Sequence, residues 1–194
     1  MGATAHPGRT AAILFALHDA WPEVWPHEPY TKGACILATR TAIEVGRYFG
    51  VTLTAQPLSV VVLNPAAKAE YAQQRPIDEW PPEAWSVGTH CTDTVTATGW
   101  EGHLIVVGDG MMADLTAGQF DRPEKGIRCA PWVMPVPTQP PPWGFEFGEA
   151  PSTQMVMLPC EAWAYRQSPD WRTNYRDLAA ATIRRIRPVL EASQ

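Results

Sequence analysis

A thiol, an imidazole and a carboxylate stand along this chain in the order Cys35, His103, Asp114. A thiol attacks a carbonyl carbon as the thiolate, and an unperturbed cysteine is mostly protonated at neutral pH. Two features lower its pKa: the partial positive charge at a helix N-terminus and a neighbouring imidazolium. Cys35 opens the run CILATRTAIEVGRYFG, in which Cys35, Ala38, Ala42, Val45 and Phe49 recur at helical spacing as one apolar stripe. Arg40, Glu44 and Arg47 fall on another face, and Gly50 supplies a C-cap. The thiol is therefore expected in the first turn of a helix, on its buried side.

His103 follows Gly102 and opens the apolar run HLIVV. Gly108-Asp109-Gly110 reads as the turn of a β-hairpin, with Leu104 to Val107 on one strand and Met111 to Leu115 on the other. Asp114 then lies on the return strand. Side chains that face each other across such a ribbon lie about 5 Å apart, and the turn allows a register that brings Asp114 near His103. A carboxylate in that place fixes the imidazole tautomer and stabilises its protonated form.

A helix cysteine followed by a hairpin bearing histidine and aspartate resembles the papain-like superfamily, most closely its bacterial transglutaminase-like branch. The matching stretches are GACILATRTAIEVGRYFG, GHLIVV and ADLT; the resemblance covers about residues 30 to 120 and rests on order and context. It implies an α+β fold with N-terminal helices packed on an antiparallel β-sheet. It also implies Cys35 as nucleophile, His103 as base and Asp114 as the orienting acid. The activity implied is a hydrolase or acyltransferase acting on an amide or thioester through an acyl-enzyme, with a peptide or protein substrate and no separate cofactor. Papain-type peptidases carry a glutamine shortly before the cysteine as an oxyanion donor. The corresponding stretch here, HEPYTKGA, has none. The backbone N–H of Cys35 is one donor, and His27, Tyr30 and Gln56 are candidates for the second.

The remaining elements must position these groups. Residues 8 to 20 read as a short helix ending before Trp21-Pro22, and QPLSVVVLNP as a strand around Leu58 to Leu63 stopped by Asn64-Pro65. AAKAEYAQQ reads as another short helix, residues 75 to 100 as irregular, and residues 131 to 151 as a Pro/Trp-rich loop or connector. STQMVMLPCEAWAYR supplies one or two strands. NYRDLAAATIRRIRPVL reads as a closing helix with Leu178, Ile183 and Ile186 turned inward. Helices first and then an antiparallel sheet make an α+β class, and 194 residues suit a single domain.

Composition narrows the partners. Hydrophobic residues make up 45% of the chain, enough for a sizeable core, and the formal charge of -5 comes with no basic run. A nucleic-acid partner lacks its electrostatic footprint. No stretch approaches the roughly 20 apolar residues that span a bilayer. Ala11 to Leu17 meets His18-Asp19 rather than a small-residue cleavage site, and His6 stands where a myristoylation motif wants Ser or Thr. A cytosolic, reducing location is the expectation. It fits Cys35, Cys91, Cys129 and Cys160, which lie far apart with no C-x-x-C pair. Nine tryptophans and 20 prolines suggest long stiff loops pinned by aromatic anchors.

Plainer readings stand beside the chemical ones. Cys35 alone is a small buried hydrophobe, His103 a satisfied structural histidine, and Asp114 a turn cap with Thr116. Cys91 beside His90 is a competing pair, although neighbours on a strand face opposite sides. A metal site from Cys35, His103 and Cys91 or Cys129 has no recognisable ligand spacing. The rival function is a non-catalytic protein-binding module on the same scaffold, with Trp80, Trp85, Trp132 and Trp143 forming its recognition surface.

Overall fold

A computed structural model of the chain describes residues 7–25, 34–97, 99–148, 152–172 and 175–192. Helix α1 (Pro7–Val24) does not stop before Trp21 but continues through Pro22. A proline in the last turns costs the hydrogen bond to the carbonyl four residues back. Burial of an aromatic pair offsets that loss: Trp21 is only 3% exposed and stacks on Trp25 with ring centroids 4.9 Å apart. The Trp25 N–H donates to the Trp21 carbonyl at 2.9 Å, completing the turn.

Helix α2 (Ala34–Tyr48) buries Cys35, Ala38, Ala42 and Val45, the stripe that the spacing predicts. The chain turns back through Gly50, whose φ of 74° favours a residue without Cβ, and Val51 then donates to the Gly46 carbonyl. Strand β1 (Thr54–Leu63) follows, then α3 (Pro65–Ala72). Three short strands, β2 (Ser86–Thr89), β3 (Val95–Thr96) and β4 (Gly99–Trp100), occupy the stretch that reads as irregular. They are too short to leave a periodic signature and depend on partners distant in sequence.

The hairpin is formed by β5 (His103–Gly108) and β6 (Met111–Asp114), paired so that Val106 faces Ala113 and Gly108 faces Met111. Its turn is two residues long: Asp109 and Gly110 both take left-handed φ values, 45° and 73°. That backbone matches the twist of the flanking strands. The segment that reads as a connector instead contributes β7 (Trp132–Pro135), which pairs with β6, and β8 (Trp143–Phe147), which pairs with β9 (Thr153–Pro159). Prolines mask these strands locally, yet Trp132 is 6% exposed and stacks on Phe145 at 6.0 Å. Burial of aromatic surface decides the outcome. The short α4 (Pro169–Arg172) precedes the closing helix α5 (Arg176–Ala192), which buries Ile186 and half-buries Leu178 and Ile183 against the core.

Among the described residues, seven strands form one curled antiparallel sheet in the order β7-β6-β5-β1-β9-β8, with β2 also on β1. The N-terminal helices and α5 cover one face. There Ile13, Leu14, Leu17, Ala38, Ala42 and Val45 pack with Val106 and Ala113. The alternate positions Ile105 and Met112 turn to the other face and join Phe120, Ile127, Trp132, Met155 and Met157. The architecture is mixed α+β. Among the described residues no helix is long and apolar enough to cross a membrane.

One feature of β1 prepares the site. Its Thr54–Leu58 half pairs with β5, ending on His103, while its Val60–Leu63 half pairs with β2, starting from Thr89. Both neighbours share one edge of β1, end to end, with β9 along the other. A seam therefore opens beside Ser59, between the start of β5 and the end of β2.

Candidate active site

His103 is the first residue of β5 and reaches no solvent. Continuing the hairpin register places Asp114 opposite Ile105, diagonal to His103 on the same face. His103 Nε2 lies 2.6 Å from Asp114 Oδ2, and both side chains are fully buried. The other carboxylate oxygen, Oδ1, accepts from the Thr116 N–H at 2.9 Å and from the Thr116 hydroxyl at 3.2 Å. One carboxylate thus both caps the turn and orients the ring, so the two readings of Asp114 coexist. Three donors converge on it and offset the cost of its burial.

Because Nε2–H donates to Asp114, the neutral ring presents Nδ1 as an acceptor. The Gln119 side-chain nitrogen sits 2.7 Å from Nδ1, and the Phe120 ring packs edge-on at 5.0 Å. Burial alone would lower the pKa of His103. The charge and hydrogen bond of Asp114 outweigh burial, Cys35 adds to them, and the net result is a pKa pushed up to about 10.

Cys35 is the second residue of α2, 5% exposed, and clusters with Ile36, Trp100, Leu104 and Tyr165. The Thr39 hydroxyl donates to the Leu104 carbonyl at 3.4 Å and helps to hold α2 along β5. A cavity of about 490 Å³ opens at the seam in the sheet, with Cys35, Gly88, Thr89, His90, Trp100, Gly102, Gln119 and Phe120 in its wall. Gly102 precedes His103 at φ 141°, and a Cβ there would meet the Trp100 ring at 2.4 Å. The glycine makes room for that indole, which is fixed by its N–H bond to the Thr92 carbonyl at 2.7 Å and by edge contact with Tyr165.

The other cysteines differ. Burial first, then a hydrogen bond and charge from Cys160 and the charge of Asp93, raise the Cys91 pKa far above the usual thiol range. Burial, Asp114 and Asp121 push Cys129 up to about 12. Neither is prepared as a thiolate. His90 Nδ1 lies 3.3 Å from the Ser59 hydroxyl, and the same hydroxyl accepts from the Cys91 backbone N–H at 2.9 Å, so Ser59 rather than the Cys91 thiol partners His90. Among the described residues, no three His, Cys, Asp or Glu side chains gather as a metal ion requires. Trp132, expected on a recognition surface, is instead buried in the sheet's core. The indole N–H groups of Trp80, Trp85 and Trp143 donate to the nearby carbonyls of Arg75, Pro82 and Gln139.

Of the candidate second oxyanion donors, His27 and Tyr30 lie outside the described residues. Gln56 has its side-chain N–H groups on the Pro57 and Cys160 carbonyls at 3.0 and 3.3 Å. Gln119 escaped the sequence reading. Its only signal is a polar amide five positions beyond Asp114 in ADLTAGQF, inside the 3₁₀ turn Ala117–Phe120.

The chain matches no protein-family model, no curated protein and no solved structure.

Proposed function

We propose that the chain is a thiol-dependent hydrolase or acyltransferase of papain-like or transglutaminase-like type, acting on an amide or thioester of a peptide or protein. One observation carries this reading. A buried imidazole, held through Nε2 by Asp114 and met at Nδ1 by Gln119, stands beside a cavity whose wall includes Cys35.

In the first half-reaction the thiol proton passes to His103 Nδ1 and the sulfur bonds to the carbonyl carbon. The tetrahedral adduct then collapses. The proton on Nδ1 goes to the departing amine or thiolate, leaving a thioester on Cys35. In the second half-reaction His103 takes a proton from water or from an acceptor amine, which attacks the thioester and restores the thiol. Asp114 holds the ring and stabilises its charged form throughout. A positioned base of this kind contributes about 10²–10⁴-fold in rate.

Iodoacetamide labelling across pH, read residue by residue, tests the reading. Cys35 should alkylate in mildly acidic buffer ahead of Cys91, Cys129 and Cys160, and His103→Ala should slow it. A Cys35 that reacts like an ordinary thiol and ignores the loss of His103 would leave the reading without support.

A further inference from the structure

We propose that Gln119 is a catalytic residue of the thiol site, its side-chain amide donating the second hydrogen bond to the oxyanion formed when Cys35 attacks. The proposal rests on the acyl-transfer reading above and deepens it.

The first argument is place. Gln119 and Cys35 share the wall of one cavity. The amide nitrogen is 2.7 Å from the ring nitrogen of His103, the imidazole that this reading sets to serve the Cys35 sulfur. A carbonyl carbon poised for attack sits about 3–3.5 Å from the sulfur. Its oxygen therefore comes within reach of an amide already gathered at the same ring.

The second argument is proton bookkeeping. With Nε2–H committed to Asp114, the Gln119 N–H can donate to Nδ1 only while that nitrogen carries no proton. When Nδ1 takes the thiol proton it becomes a donor, and Gln119 loses its acceptor. Negative charge appears on the carbonyl oxygen as the sulfur attacks, while Nδ1 still holds that proton. An enclosed N–H without a partner costs about 1–3 kcal/mol, so the amide turns to the new anion. The bond exists in the transition state and not in the ground state, which is the condition for raising kcat.

The third argument is anchorage. The Gln119 backbone N–H donates to the Thr116 carbonyl, and its own carbonyl accepts from Arg122 Nη1, both at 2.9 Å. Ala117 and Phe120 on either side are buried. The backbone is fixed while the side chain has room, because Gln119 also borders a second cavity of about 310 Å³ beside Trp21 and Trp25.

The test compares two reactions of Cys35 in the full chain. Acylation by 4-nitrophenyl acetate passes through an oxyanion, whereas alkylation by iodoacetamide is a displacement at a saturated carbon and forms none. Gln119→Ala should slow the acylation burst by about 10²–10³-fold, the usual loss for one oxyanion donor. Its alkylation should change far less, because removing the Gln119–His103 contact perturbs the ring without removing the base, so the ratio of acylation to alkylation should fall steeply. Gln119→Met, similar in length but without an N–H, should behave the same and guards against a folding defect in the alanine variant. An unchanged burst, or acylation and alkylation moving together in either direction, overturns the proposal, since Gln119 would then be idle or act through His103. If the wild type shows neither a burst nor His103-dependent alkylation, the acyl-transfer reading falls and takes this one with it.

Discussion

His103 Nε2 donates to Asp114 Oδ2 at 2.6 Å in a pair that no solvent reaches. Neither partner depends on the hairpin alone. His103 sits opposite Leu58 on β1, and Asp114 sits opposite Trp132 on β7. Each strand of the hairpin is therefore paired along both edges, and the sheet as a whole sets the angle at which carboxylate and imidazole meet. Cys35 comes from a separate element, α2, and lines the cavity at the seam where β1 changes partner from β5 to β2. Among the described residues neither β5 nor β2 pairs with β1 at Ser59, and a cavity lies at that seam.

Replacing Asp114 separates orientation from stability. Asp114→Asn keeps an acceptor for Thr116 but turns an N–H₂ group toward Nε2. The ring proton then moves to Nδ1, which can no longer take a proton from the thiol. Alkylation of Cys35 should slow markedly while the fold survives. Asp114→Ala leaves an imidazole and two Thr116 donors unpaired in the core and should cost about 3–5 kcal/mol in urea unfolding. Equal alkylation rates in Asp114→Asn and wild type would show that the tautomer does not matter.

The pH dependence of stability follows from the raised pKa of His103. The folded value of about 10 lies above the unbound reference of 6.5, so the folded state binds the proton more tightly. Its contribution is fully present below about pH 6.5 and is lost as pH rises toward 10. Cys129, raised from 9.0 to about 12, adds a loss of the same sign that begins only above pH 9. Urea midpoints should therefore fall between pH 7 and pH 9, and His103→Ala should flatten that fall. Cys129→Ala should leave the same window unchanged and relieve the loss at higher pH.

The sequence was informative where chemistry and local period coincide. The stripe from Cys35 to Val45, the Asp109-Gly110 turn and the placing of Asp114 near His103 all follow from short-range rules, because helix spacing and turn backbone are local properties. The seam beside Ser59 is a different matter. It exists because β1 meets β5 and β2 end to end, and no window of β1 records which strand pairs with which half. Strands β7 and β8 were hidden by prolines and became strands through pairing with β6 and β9. Gln119 was illegible for the same reason: a glutamine in a loop acquires chemical meaning only when a ring nitrogen stands 2.7 Å away.

Gly102 controls access to the ring by leaving a gap for Trp100. An added Cβ would meet the indole at 2.4 Å, and φ of 141° already lies outside the range that side chains favour. Gly102→Ala must push Trp100 from its place against Tyr165 or strain the backbone, at a cost of about 1–3 kcal/mol. Indole fluorescence should change with stability, and Cys35 alkylation should change too, because Trp100 lines the same cavity. Trp100→Ala combined with Gly102→Ala should recover part of the steric cost. A double variant no more stable than Gly102→Ala would point to the backbone strain instead.

Asn64 tests whether the wall formed by β2 is held from a distance. Its Oδ1 accepts from the Ala67 N–H at 2.9 Å, capping α3, and from the Trp85 N–H at 3.1 Å, at the entry to β2. Its Nδ2 donates to the Glu83 and Lys125 carbonyls at 2.8 and 2.9 Å. At 6% exposure, water cannot replace these bonds. Asn64→Ala should cost about 2–4 kcal/mol, the sum of a lost cap and of backbone groups left unpaired. Asn64→Asp retains the cap and even suits the helix dipole, yet sets a carboxylate oxygen against two carbonyls. If the amide donors matter, aspartate should fare no better than alanine. Amide exchange should also quicken through Val87 to Thr89, at the edge of the cavity. If aspartate instead restores wild-type stability, the helix cap alone is the purpose of Asn64 and the cavity wall stands without it.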